Sequence, residues 1–324
     1  MKKPLRSQDL FIFALVVFFL LWPLAKMGTA LHYRVLGFAF YYGTLAFAWN
    51  LLALTGVVSL GHAAFFGLGA YGSALLDHYW RLSPCVTILA GGLLGASYGI
   101  LWHLAFRKLR GAPFALATLA SVEIPKILID NWDRVTLGSQ GITGIADIPS
   151  LRWGGTVIRF SQDPEALYYL LFTWMLVTGW VHWKAIRSRW GWAIRAIRED
   201  EIAAAGLGVN VHRTRFHALL LSALFTALCG ALYPHMIGLV EPSLVFSLHM
   251  SALPLIFSIF GGTYQPHGPI LGALILYPLD QLLFHSLLPV GHAAVYGLVV
   301  ILALLFFPRG VGAWLQSRLR SAWN

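Results

Sequence analysis

Charged side chains are scarce in this chain of 324 residues: 11% are Asp, Glu, Lys or Arg, 58% are hydrophobic, and the mean hydropathy is +0.70. So few charges exclude an ordinary soluble domain, in which about a quarter of the residues are charged. A membrane-spanning helix needs about 20 apolar residues, so the chain has room for roughly ten of them. The composition therefore predicts an all-α polytopic integral membrane protein that lies in the lipid bilayer.

Cysteines are also few, and nucleotide-binding signatures are absent. The two cysteines, Cys85 and Cys229, lie in apolar runs, which indicates packing rather than a disulfide framework or a metal site. No lysine follows a glycine, so a Walker A loop is absent. The twelve histidines include no pair at ligand spacing. We therefore expect no metal site and no cofactor bound by this chain.

Ten apolar runs each predict a membrane-spanning helix. They lie at about 10–25, 35–55, 60–80, 84–106, 112–130, 166–184, 214–237, 243–260, 268–288 and 292–308. The runs over 35–80 and over 243–288 are rich in glycine and proline, which makes a broken or re-entrant helix possible in either stretch. The first run follows basic residues but lacks a small-residue cleavage site, which favours an anchor helix over a cleaved signal peptide.

The positive charges divide unevenly between the two sides of these predicted helices. If the N-terminus lies in the cytoplasm, sixteen Lys and Arg residues lie at cytoplasmic helix ends and seven lie elsewhere. This asymmetry predicts an even number of crossings with both termini inside. The net charge of +10 therefore reflects membrane topology, and we expect no nucleic-acid partner.

Two segments are too polar to cross a membrane. Residues 131–165 form the sizeable external loop, and within it residues 148–160 predict a hairpin with its turn at Gly154 and Gly155. This hairpin is a plug, a docking surface or a structured linker. Residues 187–212 are rich in arginines and carboxylates and predict a helix at the cytoplasmic surface, where a soluble partner can grip it.

Small and polar residues cluster inside two of the apolar stretches. Glycines there either line a path through the membrane or only allow close packing of helices, and a neighbouring Ser or His favours a polar lining. The candidates for such a path are Ser59, Gly61, His62, Gly67, Gly268 and Gly272.

Three charged residues within the predicted spans are candidates for function. Glu123 and Lys126 are three residues apart on one helix face, so they can neutralise each other. Asp280 has no cation nearby in sequence. An acidic residue inside a membrane indicates function by default, so Asp280 is also a candidate for the path, and a purely hydrogen-bonded role within the bundle is the alternative.

Several blocks, in order along the chain, resemble the permease subunits of branched-chain amino acid ABC importers, a family that also includes urea and amide permeases. They lie at residues 59–71, 110–119, 138–144, 196–204, 261–269 and 307–310, and the likeness extends over about 36–312. The sequence departs from the family at 112–114, where a tyrosine usually precedes the phenylalanine, and at 264–267, where the family has a more glycine-rich turn.

The resemblance implies a single transmembrane permease domain over 1–324, multi-pass in the inner membrane of a bacterium or archaeon. Its fold would have about ten helices and be similar to the larger ABC importer permease fold. The implied partners are a second permease subunit, two cytoplasmic ATPase subunits that hydrolyse the ATP, and a periplasmic substrate-binding protein. The residues expected to contact the ATPase are Arg195, Arg198, Glu201, Ala203, Ala204 and Gly206. Gly141 and Thr143 join the candidates for the path.

The expected function is therefore ATP-driven import of branched-chain amino acids, with urea or short amides as the alternative substrates. A secondary transporter driven by an ion gradient is the first rival, with Asp280, Glu123 and Lys126 as relay groups. An intramembrane enzyme is the second, and the sequence shows neither a nucleophile–base pair nor a set of metal ligands for one. We expect a transporter and not an enzyme.

Overall fold

The computed structural model describes residues 7–25, 28–153, 156–287, 291–307 and 310–314, and helices account for most of them. The helices are α1 (Ser7–Leu21), α2 (Ala30–Ala53), α3 (His62–Trp80), α4 (Pro84–Phe106), α5 (Gly111–Asp130), α6 (Asp133–Thr136), α7 (Pro164–Arg187), α8 (Arg189–Glu199), α9 (Glu201–Gly206), α10 (Val211–Ile237), α11 (Pro242–Val245), α12 (Leu248–Gly261), α13 (Gly268–Leu279), α14 (His285–Leu287) and α15 (His292–Phe306). A single π turn, Asp280–Phe284, joins α13 to α14.

Six helical stretches among the described residues are long and apolar enough to cross a membrane. They are α2, α4, α5, α10, Pro242–Gly261 and Gly268–Leu287. The prediction of a mostly helical, polytopic membrane protein is therefore confirmed. The number of ten crossings and the cytoplasmic location of both termini stay predictions.

Helix α2 lies at the centre of the bundle, and 83% of the residues in its most apolar stretch are buried. Its sequence is apolar on all sides, which is typical of a helix surrounded by other helices. Phe40, Tyr41 and Trp49 are almost completely buried, and the helix packs against α7, α10, α12 and α13. This helix therefore joins the parts of the bundle that carry the candidate residues.

Bare backbone contacts hold α3, α4 and α10 together. A methyl group built on Gly69 would collide with the carbonyl oxygen of Ala227, and one built on Gly230 would collide with that of Phe66. Small residues allow helices in membranes to approach this closely. The α3–α10 pair is consequently a rigid unit.

The long loop, predicted at residues 131–165, and the polar segment, residues 187–212, lie at opposite ends of α10. At one end, the loop residue Ala146 donates its N–H to Asp77 Oδ2 (2.8 Å) and its carbonyl lies 2.7 Å from His235 Nδ1. At the other end, Arg215 contacts the polar segment. Arg215 and His235 are twenty residues apart, about 30 Å along a helix and close to the thickness of the hydrocarbon core of a bilayer.

Two short ladders complete the loop end. Strand β1 (Ile142–Thr143) pairs antiparallel with β4 (Leu239–Val240), and β2 (Leu151–Trp153) pairs antiparallel with β3 (Thr156–Ile158). The second ladder has the register of the predicted hairpin, with Trp153 opposite Thr156. The turn residues Gly154 and Gly155 lie outside the described residues, as do the cations Lys2, Lys3, Arg6, Lys26, Arg309, Arg318 and Arg320 that entered the topology prediction.

The polar segment is divided, unlike the single helix that the sequence predicts for 187–212. Asp200 has extended backbone angles (φ −155, ψ 112) between α8 and α9, and its carboxylate accepts the N–H groups of Ile202 and Ala203. A carboxylate at this position stabilises a new helix start in place of a continuous helix. Residues 207–210 then lead into α10, which Asn210 caps.

The two cysteines differ in their surroundings. Cys229 is buried and its sulfur lies 3.5 Å from Trp174 Nε1. Cys85 is exposed, so the packing prediction is wrong for Cys85 within this chain.

Candidate functional site

Glu201 fixes the start of α9 to two other elements. Its carboxylate accepts from Arg110 Nε (3.1 Å) and Nη2 (2.8 Å), and Arg215 Nη1 lies 2.9 Å from the same carboxylate. The Arg110 hydrogen bonds, followed by the contact with Arg215, lower the pKa of the Glu201 carboxyl, against the opposing effect of partial burial. Since Arg110 directly precedes α5 and Arg215 belongs to α10, the carboxylate connects α9 to both helices.

The two arginines expected in the ATPase contact have different roles. Arg195 donates to the carbonyls of Ile186 (2.9 Å) and Gly191 (3.2 Å), so it holds the corner between α7 and α8. Arg198 lies over the Tyr264 ring, with its guanidinium carbon 4.2 Å from the ring centre. Both cations therefore order the polar segment from within this chain.

The outer face of α9 is apolar although it lies in a charged segment. Ile202 and Leu207 are each 85% exposed, and Ala203 and Gly206 lie exposed between them. A methyl group built on Gly206 would meet nothing within 4 Å. This face can accept a close-fitting partner without any change in the chain.

Ala204 is the exception among the expected ATPase-contact residues. It is buried in a small cluster with Ile197 and Val211, so it joins α9 to α8 and to the start of α10. The Ala204 side chain supports the exposed outer face of α9 from the opposite side.

Among the path candidates, Ser59 and His62 form one buried cluster. Ser59 Oγ accepts the Gly61 N–H (3.2 Å) and lies 3.0 Å from His62 Nδ1, and His62 Nε2 lies 2.8 Å from Ser222 Oγ. Both ring nitrogens of His62 thus have partners within the chain. Ser222 lies about 16 Å along α10 from its first residue, so α3 begins within the thickness of the bundle.

The glycine candidates stand at close helix contacts. A methyl group on Gly61 would collide with the Thr118 carbonyl oxygen, and one on Gly67 with the Phe246 ring. In the α12–α13 hairpin, Gly268 and Gly272 would collide in the same way with the Gly262 and Phe257 carbonyls. This geometry favours the packing alternative for these glycines.

Gly141 and Thr143 lie at the loop end, where β1 contacts α3. Gly141 has a left-handed backbone (φ +75) and lies against the Val240 carbonyl, where a side chain would not fit. Thr143 is exposed and pairs with Leu239. The path candidates are therefore distributed over the start of α3, the α12–α13 hairpin and the loop end.

The charged residues within spans also separate. Lys126 Nζ lies 3.7 Å from Glu123 Oε2, so the predicted neutralising pair is present. Asp280 begins the π turn and accepts from Gln281 Nε2 (3.1 Å), whereas its Oδ1 is buried without a hydrogen-bond partner among the described residues. Within the same described ranges, no group of three His, Cys, Asp or Glu residues could hold a metal ion.

The sequence analysis missed Arg110, Arg215 and Tyr264 as functional candidates. Arg110 opens one of the blocks that carry the family resemblance, and Arg215 belongs to the cytoplasmic cations, but neither pattern pairs them with Glu201. Tyr264 lies where the sequence departs from the family, which was the available signal.

Comparisons with known proteins show the family of this chain. A family model described as branched-chain amino acid transport system / permease component matches residues 31–307. The chain is 30% identical to the high-affinity branched-chain amino acid transport system permease protein LivM of Escherichia coli (strain K12), over 97% of this chain and 77% of that protein. It is 25% identical to LivH of the same strain, over 83% of this chain and 90% of LivH.

A further relative is the nucleoside ABC transporter permease protein NupC of Lactococcus lactis, 25% identical over 73% of this chain and 74% of that protein. No solved structure matches the chain significantly. The matched family consists of transport permeases, so the prediction that the chain is not an enzyme is confirmed. With its membrane-capable helices and its family match over 31–307, the chain belongs to the branched-chain amino acid transport system permease family and is a permease subunit of an ABC importer.

Proposed function

We propose that this chain carries branched-chain amino acids inward, driven by ATP, across the inner membrane of a bacterium or archaeon. The observation that carries the proposal is the outer face of α9. Ile202 and Leu207 are each 85% exposed on a segment that is too charged to enter lipid. Apolar side chains presented together in this way mark a protein interaction site, and an ATPase subunit is the partner that an ABC permease requires.

The proposed arrangement has ten crossings, with both termini and α8–α9 in the cytoplasm and residues 131–163 on the periplasmic side. Its support is the separation of the two segments along α10 and the charge asymmetry of the sequence. The proposed partners are a second permease subunit, two ATPase subunits and a periplasmic substrate-binding protein. ATP binds to the ATPase subunits, and this chain holds no nucleotide.

In this mechanism the chain performs a conformational step. When the ATPase subunits close and open, they displace α9. Glu201 passes this displacement through Arg110 to α5 and through Arg215 to α10, since it holds both arginines at 2.8–2.9 Å. Tilting of these helices against the second permease then opens the path to one side of the membrane at a time.

The substrate proposal follows the relatives named for branched-chain amino acids, LivM and LivH. Urea, short amides and, from the NupC likeness, nucleosides are the alternatives. A secondary transporter is the rival of another class. The Glu123–Lys126 ion pair gives two of its three relay candidates a partner, which leaves Asp280, whose Oδ1 has no hydrogen-bond partner among the described residues, as the remaining relay candidate.

The proposal is tested in liposomes that contain the complete complex, with labelled leucine, urea and uridine offered in turn with the binding protein. We expect leucine uptake that requires ATP inside the compartment facing the ATPase subunits and that persists when ionophores dissipate ion gradients. Uptake of urea or uridine alone would overturn the substrate. Uptake that needs a gradient and no ATP would overturn the mechanism.

The proposed contact of the outer face of α9 with the ATPase is tested by the substitution Gly206→Leu. Because nothing in this chain lies near an added Cβ at Gly206, the variant should fold normally. A bulky group in a close contact with the ATPase should lower uptake about ten- to hundredfold. Equal uptake by this variant and the wild type, at equal amounts in the membrane, would exclude α9 as the contact.

A further inference from the structure

The polar segment has a second connection to the membrane helices, separate from Glu201. Arg198 on α8 lies over the ring of Tyr264, 4.2 Å from its centre. Tyr264 belongs to the turn 262–267 between α12 and α13 and is 61% exposed. On its other side, the Arg198 backbone lies close to the turn after α2, where a methyl group on Gly56 would come within 3.8 Å of Arg198 Cα. The end of α8 therefore rests on two turns.

Buried hydrogen bonds fix the 262–267 turn to the bundle. The Asn50 side chain on α2 donates to the Thr263 carbonyl (2.8 Å), and its Oδ1 lies 3.0 Å from His182 Nε2 on α7. Asn50 and His182 are both buried. Hydrogen bonds are stronger in such surroundings than in water, so the turn is a firm part of the structure.

The same turn controls two helices at once. The backbones of α12 and α13 touch at Gly261 and Gly268. A methyl group on Gly261 would collide with the carbonyl of Gly268, and one on Gly268 would collide with the carbonyl of Gly262. Gly310, in the segment after α15, packs on Gly262 from outside. A push on Tyr264 therefore moves α12 and α13 together instead of bending the turn.

We propose that the contact between Arg198 and Tyr264 is a second coupling connection, through which movement of α8 reaches the α12–α13 hairpin. Tyr264 acts as a positioning residue, since it touches neither ATP nor substrate. The proposal rests on the proposed function, because it assumes that an ATPase moves the polar segment. Glu201 would serve α5 and α10, and Tyr264 would serve α12 and α13.

The first test replaces the ring. Tyr264→Leu removes the aromatic face and Tyr264→Phe keeps it, and both are assayed in the reconstituted complex for leucine uptake per ATP hydrolysed. A cation–ring contact at an exposed site corresponds to an effect of about two- to fivefold. We expect Tyr264→Leu to lower the ratio by this factor and Tyr264→Phe to retain it, whereas a loss of the same size in both variants would overturn the proposal.

A control separates coupling from general damage to an exposed aromatic residue. Trp80, at the loop end of α3, is 66% exposed, and Trp80→Leu should leave uptake per ATP unchanged. The amount of ATPase that co-purifies reports assembly in every variant. If Tyr264→Leu lowers this amount and not the ratio, the ring serves assembly and the proposal is wrong.

A double-mutant cycle then assigns the effect to the pair. Arg198→Gln combined with Tyr264→Leu should cost no more than the larger single change, because both remove the same contact. Tyr264→Leu combined with Glu201→Gln should multiply the two single effects, because the connections are separate. Multiplication in the first pair would show that the ring acts without Arg198.

A covalent replacement of the contact gives an independent measurement. Arg198→Cys and Tyr264→Cys are combined in a chain that lacks Cys85 and Cys229, and the thiols are joined by a short bifunctional reagent. If α8 and the turn move together, cross-linking restores the ratio that the substitutions lowered. Inhibition by the cross-link would mean that the two surfaces slide past each other.

The two proposals fail in different ways. A wild-type complex that shows no ATP-driven uptake contradicts the proposed function. A wild-type complex that imports leucine while Tyr264→Leu imports with the same ratio contradicts only the second connection.

Discussion

Glu201 shows how one carboxylate can join three elements. It lies 2.8 Å from Arg110 and 2.9 Å from Arg215, and Arg215 is the less exposed partner, with 14% of its side chain accessible. Without the carboxylate, the two guanidinium groups would face each other with no anion between them. The residue therefore contributes to the stability of the polar segment as well as to the proposed coupling.

Glu201→Gln should lower the free energy of unfolding by about 1 kcal/mol, a modest figure because the pair is partly exposed. The melting temperature in detergent measures it. Glu199→Gln is the matched control, since the Glu199 carboxylate is 72% exposed and bonds only Arg198 among the described residues. Equal losses from both changes would contradict the special position of Glu201.

The lowered pKa of Glu201 adds a pH dependence to this difference. A carboxyl whose pKa is depressed in the folded protein contributes its stability above its unfolded pKa, about 4.3, and loses it as the pH falls through the folded value. We expect the gap in melting temperature between wild type and Glu201→Gln to be constant above about pH 5 and to close below pH 4. Other carboxyls titrate in both proteins and cancel in the difference.

The sequence resemblance singled out Glu201 but left its partners unknown. Arg110 lies 91 positions away, and no local pattern tells which of the cytoplasmic arginines a distant carboxylate will meet. Arg195 and Arg198 were recognised for the same reason as Glu201, whereas their contacts with the Ile186 carbonyl on α7 and with Tyr264 depend on how the helices fold together.

At the level of the elements, the start of α3 is fixed by backbone contacts. Ala63 donates its N–H to Ser251 Oγ (3.0 Å), and Leu60 donates to Thr118 Oγ1 (3.1 Å). The first turn of α3 is thereby connected to α12 and to α5. At Gly61 there is space neither for a side chain nor for a shift of the backbone.

Gly61→Ala and Gly67→Ala should consequently differ. The added methyl at Gly61 meets the Thr118 carbonyl, which is backbone and cannot turn aside, whereas at Gly67 it meets one edge of the buried Phe246 ring, which is a side chain. We expect a loss of about 2 kcal/mol or more at Gly61. At Gly67 the better helix propensity of alanine, about 1 kcal/mol, offsets much of the strain. Melting temperatures and folded yield measure the difference, and the opposite order would contradict this account.

The elements were predictable to the extent that hydrophobicity alone defines them. Long apolar runs such as that of α10 indicate a helix in any context, and the gaps between the predicted runs coincide with the turns before α3 and between α12 and α13. The break at Asp200 was missed, because good helix formers surround it. Only the hydrogen bonds of its carboxylate to Ile202 and Ala203 show that the residue starts a new helix.

For the whole molecule, the separation of the two polar segments allows a direct test of orientation. In a chain without Cys85 and Cys229, a cysteine replacing Ser150 or Ala205 is exposed at opposite ends of the bundle. The proposed topology predicts that a thiol reagent that cannot cross the membrane labels Ser150→Cys from the proposed periplasmic side and spares Ala205→Cys until the membrane is opened. The reverse pattern would invert the topology.

The close contact between α3 and α10 also has a consequence for synthesis of the protein. His62 and Ser73 find their partners Ser222 and His235 about 160 positions later in the chain, which a ribosome needs roughly 10 to 30 s to produce. During this interval Ser73 can bond Thr87 and His62 Nδ1 can bond Ser59, whereas His62 Nε2 lies in the membrane without the partner that α10 supplies, and an unpaired polar group there is costly. Nascent chains that stop before α10 should therefore be preferred substrates of membrane proteases, and an insertion chaperone that shields α3 would raise the yield of full-length protein.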